Sequence, residues 1–510
     1  MSPWERLFVA YQLAVVAYFV VLNLLYSLFA FMGLRTVITY SRELSEVALR
    51  DLLEREVFKP VSILVPAYNE ERSIVESVHS FLALRYPRFE VIVVSDGSAD
   101  GTLERMIEAF ALVDDPRVWS KRLPTAPVRR VLRSLRHPNL VVVDKENGGK
   151  SDALNAAIDL ARYPLIAPVD SDSILDPQAI LRASRLFIED DSVVAVGGTV
   201  RPLNGAVVRN GRPTELRLPR GWLERLQIVE YARAFFLGRA GWTRFGTVLI
   251  ISGAFGLFRR DAVVRVGGFW TGTVGEDMEL VMRLHREHVR TGRPHRIVFS
   301  PDPICWTEVP SDLGSLRRQR NRWHRGLWTN LWRHRSMLLN PRYGRVGLLG
   351  VPYFWLFEGL APVVEVTGFV SFGVAVLVGA LEPGVLLLFL ALAVVHGMLL
   401  SEVAAGVEAM LLQRYPRASD RLRLLAAALL EFVGFHQLLS LERFRATFQA
   451  IGGRRDWGAM RRVGISGSWE ISRSRTASRP EHACPPSVCC ATDGRRPRPS
   501  PSRDGGPGGA

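Results

Sequence analysis

Two aspartates that end an apolar run are the residues of this sequence best suited to chemistry. Asp170 and Asp172 follow the run 165–169 and are spaced i, i+2. A strand that ends there places both carboxylates at the carboxyl edge of a sheet, where open α/β sheets bind ligands. Close carboxylates repel, so both stay ionised only beside a cation, and oxygen ligands favour Mg²⁺ or Mn²⁺. The pair therefore predicts a cation site for a diphosphate; an acidic turn after a strand is the alternative.

A third aspartate is predicted to join this pair. Asp96 follows the apolar stretch 89–94, which we predict to be a strand. Because the carboxyl ends of parallel strands meet at one edge of a sheet, Asp96 should lie near Asp170 and Asp172. A Gly-Gly-Lys turn that ends in Lys150 should lie at the same edge, where its lysine can meet phosphate oxygens. The turn lacks the spacing of a Walker A loop, so this signal is weak alone.

Two further polar sets lie on predicted helices. Glu276 and Asp277 occupy the first turn of one helix, where the helix dipole favours acids, so simple capping is the alternative to a functional role. Gln319, Arg322 and Trp323 are spaced i, i+3, i+4 and therefore share one helix face. Arginine and tryptophan on one face suit a diphosphate contact beside a sugar-stacking ring. The alternative is a basic helix with a tryptophan at the membrane interface.

Repeated strand, turn and helix patterns must position these residues. We predict strands at 61–65, 89–94, 140–143, 165–169 and 193–196. Helices that end near residue 84, at 112 and at 161 separate the first four strands, which predicts βαβ units and an α/β fold with a mostly parallel sheet. Further along we predict a helix at 222–236, a strand–turn–strand unit at 248–258, an edge strand at 296–299 and a basic helix at 313–332. The basic segment 113–139 is assigned no element.

Four apolar stretches predict membrane helices. The first, 7–34, has no charged residue and is long enough to cross a bilayer about 30 Å thick. It is too long for a signal-peptide core and no small-residue cleavage site follows it, so we predict a retained anchor. The others are 346–381, 385–412 and 424–441. For the last of these, a helix that lies flat on the membrane is the alternative.

Basic residues outnumber acidic ones, and their positions argue for a membrane rather than a nucleic acid. The net charge is +15, but the arginines flank apolar spans and fill the tail instead of forming a DNA-reading motif. Only Arg6 precedes the first span, whereas several basic residues follow it, which predicts an external N-terminus and a cytoplasmic region over 35–345. Three later spans would then place the basic stretch 443–462 outside. Either the last stretch is re-entrant or interfacial, or the N-terminal orientation is reversed.

The rest of the chain carries little chemistry. Three of the four cysteines lie in an Arg-, Ser-, Pro- and Gly-rich tail, and the set matches no metal or disulfide spacing. The predicted segments are a transmembrane helix (1–34), a linker (35–59), a cytoplasmic α/β domain (60–340), transmembrane helices (346–441), a basic interfacial segment (442–463) and a disordered basic tail (464–510).

Together the motifs resemble those of membrane-embedded, processive-type glycosyltransferases of family 2. This family includes cellulose, hyaluronan and poly-β-1,6-N-acetylglucosamine synthases, and its pattern is the ordered series D, DxD, (T/E)D and QxxRW. The chain shows, in this order, Asp96, Asp170–Ser171–Asp172, Glu276–Asp277 and Gln319–Arg320–Asn321–Arg322–Trp323. The segments 66–70, 147–150 and 307–310 also resemble family motifs. The resemblance covers about residues 60–455 and implies a GT-A (nucleotide-diphospho-sugar transferase) domain.

The resemblance also implies roles on the donor side. Asn69, Glu70 and Asp96 would contact the uridine of a UDP-sugar, and Lys150 would reach the nucleotide or phosphate. The residues that would hold the diphosphate metal, Mg²⁺ or Mn²⁺, are Asp170 and Asp172. Such a metal would neutralise charge on the leaving diphosphate.

On the acceptor side, the resemblance implies that Asp277, next to Glu276, is the general base. A sugar hydroxyl is a poor nucleophile, so a positioned carboxylate base helps. Arg322 would stabilise the UDP leaving group and Trp323 would stack under the acceptor sugar. Ser252 and Gly253 would line the acceptor pocket. Gln319 would be a further residue that binds the leaving group or the acceptor. One base without a second, nucleophilic carboxylate implies an inverting, single-displacement transfer.

Three functional hypotheses follow. The first is an enzyme of the plasma (inner) membrane that uses UDP-GlcNAc or UDP-glucose to extend and export a β-linked polysaccharide, and it leaves room for accessory export subunits. The second is a single transfer to a membrane lipid, since some lipid glucosyltransferases also carry QxxRW. The third, a catalytically inactive scaffold or a transporter, would be favoured by missing carboxylates, and none is missing.

Overall fold

The computed structural model describes residues 3–43, 58–209, 211–411, 415 and 417–453. Most of the expected linker (44–57) and the expected tail (464–510) lie outside the described residues. The first helix, α1, runs over Pro3–Glu43, through the start of the segment that was expected to be a linker.

A ten-stranded sheet forms the middle of the chain, in the order β3-β4-β5-β2-β1-β6-β11-β8-β12-β7. Strands β4, β11 and β7 run opposite to the others, so the sheet is mixed but mostly parallel, as predicted. The strands are β1 Val61–Ala67, β2 Phe89–Asp96, β3 Leu112–Asp114, β4 Val128–Ser134, β5 Leu140–Lys145, β6 Leu165–Pro168, β7 Ser173–Leu175, β8 Val193–Pro202, β11 Gly256–Arg259 and β12 Arg296–Thr307. A separate hairpin pairs β9 Val207–Arg209 with β10 Arg212–Glu215.

Helices cover both faces of the sheet. Successive residues of β2 alternate between two apolar clusters, with Val91 in one and Ile92 in the other. Burial on both faces explains why the central strands are continuous apolar runs. The covering helices are α2 Ile74–Leu82, α3 Thr102–Phe110, α4 Lys150–Leu160, α5 Ala179–Glu189, α6 Trp222–Ala232, α7 Ala240–Phe245, α8 Arg260–Arg265, α9 Glu276–Thr291 and α10 Leu313–Arg333. A π-helical turn, Arg233–Arg239, joins α6 to α7, so the helix predicted at 222–236 is longer than expected.

Several predicted elements differ from the structure. The unit predicted at 248–258 contains only β11, because the Val248 carbonyl meets the His285 side chain and the Gly253 carbonyl meets Lys150 instead of a neighbouring strand. The strand predicted to end at 299 and to lie at an edge continues to Thr307 between β8 and β7. Register shifts around Pro303 accommodate a proline within the strand. The unassigned segment 113–139 contributes β3 and β4 to the sheet edge.

Among the described residues, four helices are long and apolar enough to cross a membrane. They are α1 and three C-terminal helices, α11 Val346–Leu377, α12 Pro383–Ala409 and α13 Ala418–Ile451. Helix α1 packs closely on the α6–α7 stretch, since a Cβ at Gly33 would lie 2.3 Å from the Phe236 carbonyl oxygen. Helix α13 is kinked at Val433 and Gly434, where the backbone leaves the helical conformation. Its C-terminal part packs on α10, so one apolar segment contacts the α/β domain directly.

Candidate active site

A cavity of about 1030 Å³ opens beside the carboxyl edge of the sheet. Its volume suits a large ligand or two smaller ones. Ten of the residues singled out in the sequence line it: Lys150, Asp170, Asp172, Ser252, Gly253, Glu276, Asp277, Gln319, Arg322 and Trp323. The cavity also reaches residues of the apolar helices, Phe354 and Glu358 of α11 and Arg443 of α13. It thus connects the acidic motifs to the predicted membrane region.

The acidic pair after β6 forms one wall of the cavity. Val169 makes a bridge to Phe255, which fixes the chain just before Asp170. Glu308, which follows β12, adds a third carboxylate to this wall. Burial, and then the negative charges of Asp170 and Glu308, raise the pKa of Asp172. A cation beside Asp172 would offset these negative charges and so favour the ionised form of its carboxyl group.

Lys150 is the cation that the protein itself supplies to this wall. Gly149 has a φ of 87°, which glycine adopts without strain, and helix α4 begins at Lys150. The Lys150 ammonium lies 2.7 Å from Asp170 Oδ1 and 3.0 Å from Glu276 Oε1. Burial disfavours its charge, but the two carboxylates hold the pKa of Lys150 above its usual range. Lys150 therefore links the Asp170 motif to the Glu276–Asp277 motif.

Asp277 faces the part of the cavity formed by the Ser252–Ala254 turn. Its Oδ2 accepts a hydrogen bond from the Gly253 backbone N–H at 3.0 Å, and its Oδ1 accepts one from the Met278 N–H at 2.8 Å. Burial and the neighbouring Glu276 charge raise the pKa of Asp277 to about 6. Burial acts on Glu276 as well, but Lys150 holds the pKa of Glu276 below its usual value. Of the two adjacent acids, Glu276 is thus paired with Lys150, and Asp277 is the more basic carboxylate.

The loop before Asp277 is held by Asn330, a residue that the sequence analysis did not single out. Asn330 is fully buried and donates a hydrogen bond to the Gly275 carbonyl at 2.7 Å. Its Oδ1 accepts a hydrogen bond from the Thr273 hydroxyl at 3.0 Å. A Cβ at Gly275 would lie 3.0 Å from the Asn330 amide nitrogen, so this packing is tight. Asn330 therefore fixes the start of α9 against α10, the helix that carries Gln319–Trp323.

The residues of α10 line the opposite side of the cavity. Burial lowers the pKa of Arg322, and the negative charges of Glu276, Asp170 and Asp172 counter this effect. Trp323 keeps 43% of its surface exposed, and the Arg320 guanidinium lies 4.3 Å from its ring centre. Arg320 in turn pairs with Glu230 at 2.6 Å. Gln319 Oε1 is buried in this wall, and the described residues offer it no hydrogen-bond partner.

Asn69, Glu70 and Asp96 lie outside the residues that line the cavity. The Asp96 carboxylate accepts hydrogen bonds from the Gly149 N–H at 2.7 Å and the Gly148 N–H at 3.1 Å, and it contacts the Lys145 ammonium at 2.5 Å. These bonds hold the turn before Lys150 in place.

The loop that follows β1 is bonded to the loop that follows β2. Asn69, whose φ is 56°, accepts a hydrogen bond from the Ala99 N–H at 2.9 Å. The Glu70 N–H donates to the Thr102 hydroxyl at 2.8 Å. The expected contact of Asn69, Glu70 and Asp96 with uridine stays a prediction.

Asp170 and Asp172 are chemically suited to Mg²⁺ or Mn²⁺. Among the described residues, no group of three or more His, Cys, Asp or Glu side chains is arranged to hold a metal ion. The two aspartates would therefore supply only part of the ligand shell, and diphosphate oxygens would supply more, which is how Mg²⁺ is usually bound beside nucleotides. The two carboxylates therefore fit a cation that binds together with the diphosphate of the substrate.

The fold and site define a class of protein, a glycosyltransferase with a GT-A-like domain and several long apolar helices. The model of the family described as "Glycosyltransferase like family 2" matches residues 59–326. The chain belongs to this family, and the resemblance inferred from the motifs is confirmed.

Sequence relatives are bacterial polysaccharide synthases. The chain is 30% identical over 267 residues to the poly-beta-1,6-N-acetyl-D-glucosamine synthase of Staphylococcus aureus (strain COL), which is 52% of this chain and 54% of that protein. It is 27% identical over 274 residues to the enzyme of the same name from Staphylococcus epidermidis, 54% of this chain and 56% of that protein. The chain thus spans about half the length of the curated relatives it matches.

Comparison with solved structures matches a mannosyltransferase and TarS, both at TM-scores below 0.5. A mannosyltransferase from Pyrobaculum calidifontis, in complex with GDP-Man and Mn²⁺, shares 19% identity at a TM-score of 0.46, over 82% of this chain and 99% of that one. Residues 1–349 of TarS from S. aureus, in complex with UDP-GlcNAc, share 16% identity at a TM-score of 0.38, over 74% of this chain and 92% of that one.

Proposed function

We propose that this family 2 glycosyltransferase transfers a sugar from a UDP-sugar to a saccharide hydroxyl by inverting, metal-assisted displacement and so extends a β-linked polysaccharide at the membrane. The observation that carries the proposal is the separation of Glu276 from Asp277. One acid is paired with Lys150, whereas the other has a pKa raised to about 6 and faces the cavity. A carboxylate with a raised pKa is a better general base than an ordinary one.

The cavity lets each group act on its own part of the reaction. Asp170 and Asp172 would hold the diphosphate with its cation, which supplies charge neutralisation for the leaving group. Arg322 reaches the same carboxylate wall and would contact the departing diphosphate. Asp277, held by the Gly253 N–H at 3.0 Å, would accept the proton of the acceptor hydroxyl. Displacement then occurs in one step, with inversion at the transferred carbon.

The donor that we propose is UDP-GlcNAc, with UDP-glucose as the alternative. The named product of the sequence relatives is a polymer of N-acetyl-D-glucosamine, which requires an activated form of that sugar. The test is UDP release by the full chain in lipid nanodiscs, with a panel of UDP-sugars and Mg²⁺ or Mn²⁺. Turnover of one donor with a long saccharide product supports the proposal. A product that is only a mono-glycosylated lipid would replace it with the lipid-acceptor hypothesis, and failure to bind UDP would refute both.

The pH dependence of the rate should report on Asp277. Its base form is required, and its pKa is about 6 rather than the usual value near 4 for aspartate. The rate should therefore rise about tenfold for each pH unit below 6 and level off above it. The measurement is kcat for UDP release over the range from roughly pH 4.5 to about pH 8, on both sides of this pKa. A constant rate down to pH 5 would mean that proton removal by Asp277 does not limit turnover.

The membrane arrangement that we propose has three crossings and an interfacial last segment, with the catalytic domain in the cytoplasm. The kink divides α13 into Ala418–Leu430 and His436–Ile451, with 13 and 16 residues. At 1.5 Å per residue each part is about 20–24 Å long, which is short of the 30 Å core of a bilayer. The second part is bonded to α10 through Glu442, which Arg317 contacts at 3.0 Å, and through Thr447. Its end therefore lies on the side of the catalytic domain.

This arrangement removes the conflict with the positive-inside tendency and predicts a protection pattern. Arg443 and Arg445 would lie in the cytoplasm, as basic flanks usually do. In intact cells, an external protease should cleave a tag before residue 1 and leave a tag after residue 510 uncut. Permeabilised cells, in which both tags are cleaved, provide the control. External cleavage of the C-terminal tag would show that α13 crosses the membrane.

A further inference from the structure

The strongest unexplained feature of the cavity is Arg239, which ends the π-helical turn between α6 and α7. It lines the cavity, but it belongs to none of the acidic or QxxRW motifs. Its Nη1 atom is buried, and the described residues offer the guanidinium no hydrogen-bond or ion-pair partner. A buried donor without a partner is costly, and a ligand that enters the cavity would supply the partner that Arg239 lacks.

Packing fixes the position of this guanidinium. It lies over the Phe235 ring, 4.1 Å from the ring centre. The helix that carries it cannot shift easily toward α1, because a Cβ at Gly241 would lie 2.9 Å from the Phe29 carbonyl oxygen. Arg239 is therefore presented to the cavity by a rigid scaffold, which is how binding groups are held in functional sites.

The charges around Arg239 identify the side of the reaction on which it acts. Burial lowers the pKa of Arg239 to about 10, and Asp277 is the acid that counters this effect most strongly. The donor-side acids Asp170 and Asp172 are instead compensated by Lys150 and Arg322. Arg239 thus belongs with the proposed base, on the acceptor side of the cavity.

The same charges indicate the chemistry of the missing partner. Two carboxylates, Asp277 and then Glu358, already act on the guanidinium charge. What the site lacks is therefore an oxygen acceptor for a hydrogen bond rather than a further negative charge. Aromatic rings, including Tyr231 and Phe235, line the cavity beside it, and Gln319 Oε1 is a buried acceptor without a partner in the same cavity. Rings with a few fixed polar groups suit a sugar, which has apolar faces and hydroxyl or amide edges.

We infer that Arg239 is an acceptor-binding residue, whose guanidinium donates a hydrogen bond to a neutral oxygen of the acceptor saccharide, a hydroxyl or an N-acetyl carbonyl, next to Asp277. This inference rests on the proposed function, because it deepens the acceptor side of the same site. The bond would hold the terminal sugar so that its reactive hydroxyl lies beside the Asp277 carboxylate. Arg239 would then determine acceptor affinity and leave donor affinity unchanged.

The test measures binding, so that it does not depend on turnover. Full-length protein in nanodiscs, saturated with UDP, is titrated calorimetrically with a β-1,6-linked N-acetylglucosamine tetrasaccharide. In Arg239→Gln, we expect tetrasaccharide affinity to fall about tenfold, the usual effect of one hydrogen bond to a charged donor. UDP affinity should stay within about twofold. The matched control is Arg244→Gln, which removes an exposed arginine five residues along the same helical stretch and should change neither affinity.

A second variant guards against a folding defect. Arg239→Lys keeps the positive charge but loses the planar fork, so we expect a smaller loss of tetrasaccharide affinity, about threefold, with UDP binding retained. Wild-type affinity for the tetrasaccharide in both variants would overturn the inference, and so would an equal loss of UDP affinity or failure of the wild-type protein to bind the tetrasaccharide. If the wild type releases no UDP from any donor but tetrasaccharide binding still depends on Arg239, the proposed function fails and the saccharide site stands.

Discussion

Replacement of Asp277 by asparagine is expected to lower kcat by about 10²–10⁴-fold, the range that general-base catalysis supplies. The substitution keeps the size of the side chain and an oxygen that can accept the Gly253 N–H, which lies 3.0 Å away. It removes only the group that takes the proton of the acceptor. UDP affinity should therefore stay within about twofold of wild type, since donor binding depends on other side chains.

The measurement is UDP release together with UDP binding in the same nanodisc preparation. The matched control is Asp261→Asn, which removes an exposed carboxylate from α8, outside the cavity, and should leave kcat unchanged. Loss of the pH dependence in the residual activity of Asp277→Asn would further support its role as base. Turnover by this variant at the wild-type rate would show that another group removes the proton, and Glu276, paired with Lys150, would be the next candidate.

The sequence was a good guide to the acidic motifs because their positions follow from sheet geometry. Asp96 ends β2, and Asp170 and Asp172 come after β6; the carboxyl ends of such parallel strands meet at one edge of the sheet. The burial of β1 on both faces also follows from the consecutive apolar residues Ile63, Leu64 and Val65. Strand periodicity thus predicted that these aspartates lie at the carboxyl ends of parallel strands, and their role in donor binding stays a prediction.

Other elements gave no clear local pattern. Strand β4 carries the exposed residues Arg129, Arg130 and Arg133, and its exposed and buried residues do not alternate regularly, so neither helix nor strand periodicity identifies it. Strand β12 contains prolines, which usually end a strand, and only the bulged pairing with β8 accommodates them. Tertiary pairing, rather than local preference, determines both strands.

The contacts that organise the site depend on residues far apart in the chain. Lys150 was expected to reach phosphate, and the structure shows that it joins Asp170 to Glu276, which lies more than 100 residues away. Asn330 bonds to the buried loop before Asp277, Arg239 ends a π-helical turn that lines the cavity, and neither lies in a motif that spacing could reveal. Lys145 is the last residue of β5, and the sequence gives no sign of its partner. In the structure it is fully buried, and its ammonium contacts the Asp96 carboxylate at 2.5 Å. These roles become visible only when the elements are packed together.

Replacement of Asp172 by asparagine is the second change with a large expected effect. It removes one of two carboxylates that would bind the diphosphate cation, and metal-assisted charge stabilisation is worth several kcal/mol. A loss of about 3 kcal/mol corresponds to about a 160-fold lower kcat/KM. Asp170→Asn should reduce activity at least as much, because it also removes the partner that lies 2.7 Å from Lys150.

Binding of Mn²⁺ distinguishes a metal role from a structural one. In wild-type protein saturated with UDP, Mn²⁺ should bind in a calorimetric titration, and Asp172→Asn should weaken that binding about tenfold or more. The matched control is Asp176→Asn, four residues along the chain, because an asparagine there can still accept the hydrogen bond that Asp176 takes from the Gln178 N–H at 3.0 Å. If Asp172→Asn binds Mn²⁺ as tightly as wild type but is inactive, Asp172 acts on the substrate directly and the cation is held elsewhere. Weaker Mn²⁺ binding together with lower activity would place the cation at the carboxyl end of β6, where it can act on the leaving diphosphate.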